Sequence, residues 1–273
     1  MEKTKELIVV KHGTAVVEND NQIGLDQSKI NFHVGQHMRL RGEGFLTTEV
    51  ASGAVVEGQE QVIQERGENL DHFSDDELAI FGTARQIQHW ERAGRPYKLS
   101  IGQVLATHKQ IDDNIEPNSV GAFMVQQILN LTWDKSLIVS NENHAAALVE
   151  MEPYYRGRDA QKHEEHNGPD GEADNDWLAA HLAIAAGATA LLLLTSVDGF
   201  KLNRKIKREI SLTDIDVMLE HCGIGSYTGS GGMESKLLAA KRAAEAGIQV
   251  VIGNAFTDVR RLLEGTAGTR VVQ

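Results

Sequence analysis

The chain has 273 residues, 41% of them hydrophobic, and its 27 Lys and Arg against 39 Asp and Glu give a formal charge of −12. That balance argues against a general nucleic-acid or anionic-membrane surface, which needs clustered cations. A single cysteine, Cys222, excludes an intrachain disulfide, and the opening apolar run is too short for a signal peptide, so a cytoplasmic setting is expected.

Glu6–Val10 is a short β-branched run that reads as a buried first strand ending near Gly13. Lys29–Arg41 carries apolar residues at helical spacing and is stopped by Gly42 and Gly44. Phe45–Val50 reads as a second strand running into Ser52-Gly53-Ala54. Ser74 and Glu77 form a capping box that opens a helix to about Ala93, ended by Gly94 and Pro96. Val104–Thr107 is a weak strand, Val120–Leu131 a helix, and Ser136–Ser140 a strand ending in Asn141-Glu142-Asn143.

Residues 151–174 form a long polar excursion with Pro153, Tyr154, Tyr155, His163 and His166. Order returns with Asp176–Ala186, a buried helix, and Ala190–Thr195, an apolar strand of the kind found inside parallel sheets. Thr213–His221 reads as a helix and Gly223–Gly232 as a glycine- and serine-rich loop. Met233–Ala246 is a strong helix closed by Gly247, followed by strand Ile248–Ile252, short helix Asp258–Leu263 and edge strand Thr269–Val272. The alternation predicts an α/β fold with a mostly parallel sheet covered by helices on both faces. Ligands in such folds sit beyond the carboxyl ends of the strands. The polar tails at those ends are Lys11-His12-Gly13-Thr14, Ser52-Gly53-Ala54, Asn141-Glu142-Asn143 and Thr195-Ser196.

Three segments carry chemistry. At Lys11-His12-Gly13-Thr14, a glycine N–H and a lysine charge suit a phosphate oxygen, although the spacing is not that of a P-loop and a plain turn reads the same way. Gly229-Ser230-Gly231-Gly232-Met233-Glu234-Ser235-Lys236 runs from a glycine loop into a helix start, where exposed N–H groups and the helix dipole favour an anion. Lys236 in that first turn is unfavourable to the dipole and points to a partner. Asp174-Asn175-Asp176 exceeds what one N-cap needs, so the second carboxylate is free to hold two lysines apart or to help position Mg²⁺. His163 and His166 lack a third ligand beside them, so no metal site is assigned.

Together these segments resemble the amino acid kinase family, and within it the branch that phosphorylates glutamate. Ile8–Thr14 is similar to V-V-K-x-G-[ST], Ser52-Gly53-Ala54-Val55 with Gly58 to S-G-A-[VI]-x-x-G, and Asn141-Glu142-Asn143 to N-E-N-D. Asp174-Asn175-Asp176 is similar to G-D-N-D, Leu191–Thr195 with Gly199 to L-L-L-L-T-D-x-x-G-L, and Gly229–Ala240 to G-T-G-G-M-x-T-K-L-x-A-A. The resemblance implies a three-layer α/β/α sandwich in one domain over residues 1–273, without the small RNA-binding-like domain that many members carry. It implies ATP with Mg²⁺, an amino acid as the other substrate, and a homo-oligomer. By position, Lys11 and Lys236 would hold the transferring phosphoryl group and Asp176 would orient them. Ser52, Gly53, Ala54, Asn141 and Asn175 would contact the amino acid. Gly13, Thr14, Thr195, Ser196, Gly229, Ser230, Gly231, Gly232 and Met233 would line the nucleotide site. The chain departs from the pattern at His144 and Ser196, where the family has aspartates, and at the basic run Lys201–Arg208, which replaces a D-P-R segment. A kinase with another acceptor, and a non-catalytic descendant that binds a nucleotide or an amino acid, are the alternatives.

Overall fold

The computed structural model describes residues 5–67, 69–111, 115–133, 136–146, 174–222 and 232–272. The polar excursion at 151–173, with His163 and His166, and the loop from 223 to 231, with Gly229, Ser230 and Gly231, lie outside the described residues. In chain order, β1 (Leu7–His12) leads to α1 (Gln27–Gly42), β2 (Leu46–Ala51), α2 (Ala54–Gln61) and α3 (Asp75–Gly94). Then come β3 (Ser100–Ala106), α4 (Val120–Trp133), β4 (Ser136–Glu142), α5 (Asn175–Ala185) and β5 (Ala190–Thr195). Short strands β6 (Lys201–Leu202), β7 (Lys205–Ile206) and β8 (Glu209–Ser211) precede α6 (Ile215–Leu219), α7 (Met233–Glu245), β9 (Gln249–Asn254), α8 (Val259–Leu263) and β10 (Thr269–Val272).

Eight strands form one sheet in the order β3-β4-β2-β1-β5-β9-β10-β8, parallel throughout except for the antiparallel pair of β9 and β10. The period-two alternation of β1 divides the core. Leu7 and Val9 join the side chains of α4, α5, α6 and α7, whereas Ile8 and Val10 join those of α1, α3 and α8. This is the expected three-layer α/β/α sandwich. No helix among the described residues is long and apolar enough to cross a membrane.

Two elements differ from the sequence reading. The strand Thr269–Val272 is not at an edge: β10 lies between β9 and β8, and the three-residue β8 forms the margin. A strand that short leaves no alternation to detect. The stretch 213–221 yields a 3₁₀ turn, Leu212–Asp214, and only five residues of α-helix in α6. The basic run at 201–208 forms the β6–β7 hairpin, whose turn residues Asn203 and Arg204 both have positive φ, 51° and 64°. The capping box is present as expected, with Glu77 N donating to Ser74 Oγ and Ser74 N donating to Glu77 Oε2.

Helix α2 has no counterpart in the sequence reading, yet it sets the position of α3. The two helices cross at backbone contact through a pair of glycines. A Cβ on Gly58 would lie 1.8 Å from Leu78 O, and one on Gly82 would lie 1.9 Å from Ala54 O. Neither neighbour is a side chain that can swing away. Gly82→Ala is expected to destabilise the protein by about 1–3 kcal/mol by forcing the helices apart. Urea unfolding checks it, and a midpoint within error of the parent would contradict this packing.

Candidate active site

At the carboxyl end of β1, Lys11 faces the layer of α5 and α7. Its Nζ lies 2.8 Å from Asp176 Oδ1, and Lys236 Nζ donates to Asp176 Oδ2, also at 2.8 Å. Asp176 is fully buried, and Lys11 and Lys236 are 4% and 5% exposed. Burial alone would raise the Asp176 carboxyl, but the two ammonium groups outweigh it and hold the pKa below the usual carboxylate range. Burial likewise works against the charge on Lys236, and Asp176 more than restores it, so the Lys236 pKa is raised. Asp176 and Lys236 thus sustain each other's charge, and the Asp174 carboxyl, its pKa raised by burial and by Asp176, lies beside the same two lysines.

Local capping chemistry sets this geometry. Asp174 is the N-cap of α5, and its Oδ1 accepts from Asp176 N at 2.8 Å and from Trp177 N at 3.2 Å. Its Oδ2 accepts from the hydroxyl of Ser235 in the first turn of α7. One carboxylate thus starts α5 and ties it to α7, and the other, two residues on, is left to take both lysines. Of the two roles considered for the second carboxylate, the structure shows the holding of two lysines. Lys236 in a first helical turn finds its partner here.

Beside the lysines lies a polar cradle. Asn175 Nδ2 donates to Ser52 Oγ at 3.2 Å and to Asn141 Oδ1 at 3.1 Å. Asn141 Nδ2 donates to Gln86 Oε1 at 2.9 Å, and Gln86 Nε2 donates to Ser52 O at 2.8 Å. Asn175 Oδ1 is buried and has no hydrogen-bond partner among the described residues. Gly53 sits at φ 108°, where its missing side chain matters twice, because a Cβ would also lie 2.7 Å from Leu25 Cδ2. Ala54 is buried at the start of α2.

The sequence pattern of the Amino acid kinase family matches residues 2–254. The chain belongs to the amino acid kinase family. It is 29% identical to a glutamate 5-kinase of Nitrosospira multiformis over 99% of this chain and 68% of that protein. Against a glutamate 5-kinase of Photobacterium profundum it is 32% identical over 91% of this chain and 61% of that protein. The chain thus spans about three fifths to two thirds of the length of these relatives. The fold matches carbamate kinase from Giardia lamblia bound to AMP-PNP, with a TM-score of 0.65, 15% identity and 99% coverage of each chain. It also matches UMP kinase from Bacillus anthracis, with a TM-score of 0.60, 12% identity, and 99% and 97% coverage.

For an amino acid kinase, the remaining motif residues are less tightly gathered. Gly13 is extended rather than left-handed, and its N–H donates to Leu194 O over a long 3.4 Å. Thr14 opens a single 3₁₀ turn. Thr195 ends β5, its carbonyl accepting from Ala255 N at 2.9 Å, while Ser196 O accepts from Asn254 Nδ2 at 3.4 Å. Gly232 is the N-cap of α7 and Met233 its first residue, so both adjoin the Lys236 turn. His144 turns onto α3, with Nδ1 3.0 Å from Asp76 Oδ1. Burial opposes its charge, but Asp76 and Glu142 outweigh that and raise its pKa. Gln86 was not singled out from the sequence; a glutamine in an amphipathic helix carries no signal until its burial is known.

Asp176→Asn removes the carboxylate that pairs directly with two buried ammonium groups. This is expected to destabilise the free protein by about 3–5 kcal/mol in urea unfolding. Arg39→Ala, which removes the exposed ion pair with Asp258, is expected to cost no more than about 1 kcal/mol. Equal losses for the two would contradict the assignment.

Proposed function

We propose that this chain is an ATP-dependent kinase that phosphorylates the side-chain carboxylate of an amino acid, with L-glutamate the favoured acceptor and γ-glutamyl 5-phosphate the product. The observation that carries this reading is the convergence of Lys11 and Lys236 on one buried aspartate beside the cradle of Ser52, Asn141 and Asn175. The names of the relatives and the fold's presence in two other kinases support it. Under this reading residues 1–273 are one kinase domain, and the product belongs to the first step towards proline. A cytoplasmic, homo-oligomeric enzyme is the corresponding setting.

A free carboxylate has a pKa of about 4.3, so the acceptor is already an anionic nucleophile at neutral pH and no base is required. One acceptor oxygen attacks the γ-phosphorus, the bond to the bridging β–γ oxygen breaks, and ADP leaves with that electron pair. Lys11 and Lys236 neutralise charge on the transferring group, and Asp176 fixes both ammonium groups before the nucleotide arrives. Gly13, Thr14, Thr195, Ser196, Gly232 and Met233 line the nucleotide. Gly53 and Ala54 let the chain pass close to the acceptor. The unpartnered carbonyl of Asn175 needs a donor, and the α-ammonium of an amino acid is one.

Mg²⁺ supplies charge neutralisation on the phosphates when it accompanies ATP. Asp176 is occupied by two lysines and Asp174 by two N–H groups and Ser235. Among the described residues no group of three metal-ligating side chains forms. These side chains do not fit a protein-held magnesium site, so the ion is assigned to the nucleotide and the transfer to the lysines.

A second reading, a different acceptor within the same fold, is favoured by one observation. His144 stands where the family has an aspartate, and paired with Asp76 it offers no carboxylate to a substrate ammonium. An ATP-consumption screen over carboxylic amino acids and phosphorylated metabolites separates the readings. Glutamate-dependent ADP release supports the first, release with another acceptor the second, and nucleotide binding without turnover a non-catalytic descendant. Lys11→Ala and Lys236→Ala are each expected to lower kcat by roughly 10²- to 10³-fold. Asp176 keeps one lysine in either variant, so the melting temperature should change little. Parental turnover in both variants would remove the mechanism.

A further inference from the structure

His12 joins Lys11 to Gly13 but turns its side chain to the opposite face of β1, into a buried group that touches none of the proposed reacting atoms. There Glu49 of β2 is fully buried. Its Oε1 accepts from His12 N at 3.3 Å and lies 2.9 Å from His12 Nδ1, and its Oε2 lies 3.0 Å from His37 Nε2. The His33 ring sits 3.9 Å from that of His12, and His33 Nε2 lies 3.2 Å from Val16 O. Trp90 of α3 closes the group, its ring 6.1 Å from His12.

Burying a carboxylate here is costly, and an apolar side chain of similar size would fill the space without that cost. What the carboxylate does, and an apolar group cannot, is grip one residue at both its main-chain N–H and its ring. That residue lies between the lysine and the glycine of the proposed phosphate site. We propose that Glu49 is a positioning residue for phosphoryl transfer: by holding His12 at backbone and ring, it sets the peptide that delivers the Lys11 ammonium and the Gly13–Thr14 turn. The proposal rests on the kinase reading of that site.

The protonation states support a clamp that works at neutral pH and above. Burial pushes the Glu49 carboxyl up to about 7, against the opposing pull of His37. Burial, and then the Lys11 charge, hold His12 down at about 3. Burial also keeps His33 and His37 below their ordinary value. The titratable groups on the Glu49 side are His12 on β1 and His33, His37 and Arg41 on α1, Lys11 acts on it electrostatically from the other face of β1, and α3 presents the uncharged Trp90. With neutral rings, the Glu49 anion accepts three N–H groups. Once protonated it has to donate on one side, so a ring changes tautomer or a bond is lost. The clamp therefore loosens as pH falls through about 7.

The linked effect on stability has the opposite sign. A carboxyl whose folded pKa is raised from 4.5 to about 7 takes up protons on folding between those values, so its contribution to stability is lost as pH rises through that window. Glu49→Gln removes this dependence, and its melting temperature should gain on the parent's between about pH 5 and about pH 8.

The test uses the full chain as parent, Glu49→Gln and His37→Asn, assayed for ATP turnover with the acceptor the parent uses, between about pH 6 and about pH 9. The parent is expected to lose kcat below pH of about 7, and Glu49→Gln to lose that limb. Glu49→Gln is expected to turn over roughly tenfold to a hundredfold more slowly, with the KM for ATP changed far less. His37→Asn, which removes only the outer bond, should shift the limb without abolishing turnover, and it carries the test if Glu49→Gln does not fold. Amide NMR shifts of Lys11 to Thr14 in the parent should titrate with a midpoint near 7, with no need for activity. Parental kcat and an unchanged limb in Glu49→Gln, or amides that stay still across this range, would overturn the proposal. A parent without turnover on any acceptor would instead sink the kinase reading, and the amide titration would still decide the role of Glu49.

Discussion

One buried carboxylate, Asp176, holds two buried ammonium groups that start 225 residues apart in the chain, at positions 11 and 236. Desolvation works against the charge on Lys236, and Asp176 more than offsets it. The arrangement is stable only if β1, α5 and α7 end or begin at the same point. The fold secures this by capping rather than by the ion pairs themselves. Asp174 starts α5, and through Ser235 it fastens the first turn of α7 to the same spot. On the proposed kinase reading, the two ammonium groups are fixed at the sheet's carboxyl edge before the phosphates arrive, with Asp174 and Asp176 beside them in the free protein.

Much of this was legible in the sequence, for a physical reason. The alternation of β-branched and Ala- or Leu-rich segments announces a parallel sheet because buried strands have no polar face to hide the signal. Lys236 announced a partner because a cation at a helix start conflicts with the dipole. Asp176 announced a second task because one cap needs one aspartate. Each is a local inconsistency that only a distant residue resolves, and such inconsistencies can be read without coordinates. Helix α2 was invisible for the converse reason. Its eight residues, Ala54–Gln61, have ordinary local chemistry, and what holds them is the glycine contact with α3. Gln86 and Glu49 were missed likewise: a glutamine in an amphipathic helix and a single acid in a strand look like solvated positions until burial is known. For Glu49 one signal was present, since Leu46–Ala51 has no alternation to place that residue on a wet face.

The two faces of β1 explain why one short strand serves both parts of the site. Successive side chains point to opposite layers, so Lys11 and His12 cannot share a task. Lys11 enters the α5 and α7 layer, where it pairs with Asp176. His12 enters the α1 and α3 layer, where Glu49, His37 and His33 form an entirely buried polar group. In that layer α3 also carries Gln86 to Ser52 and Asn141. The polar cradle and the group behind the lysine thus share one helix, seated by Gly58 and Gly82. A displacement of α3 would move Ser52 and Trp90 together. On the proposed kinase reading, the glycine pair therefore constrains the distance between acceptor and phosphoryl group while touching neither.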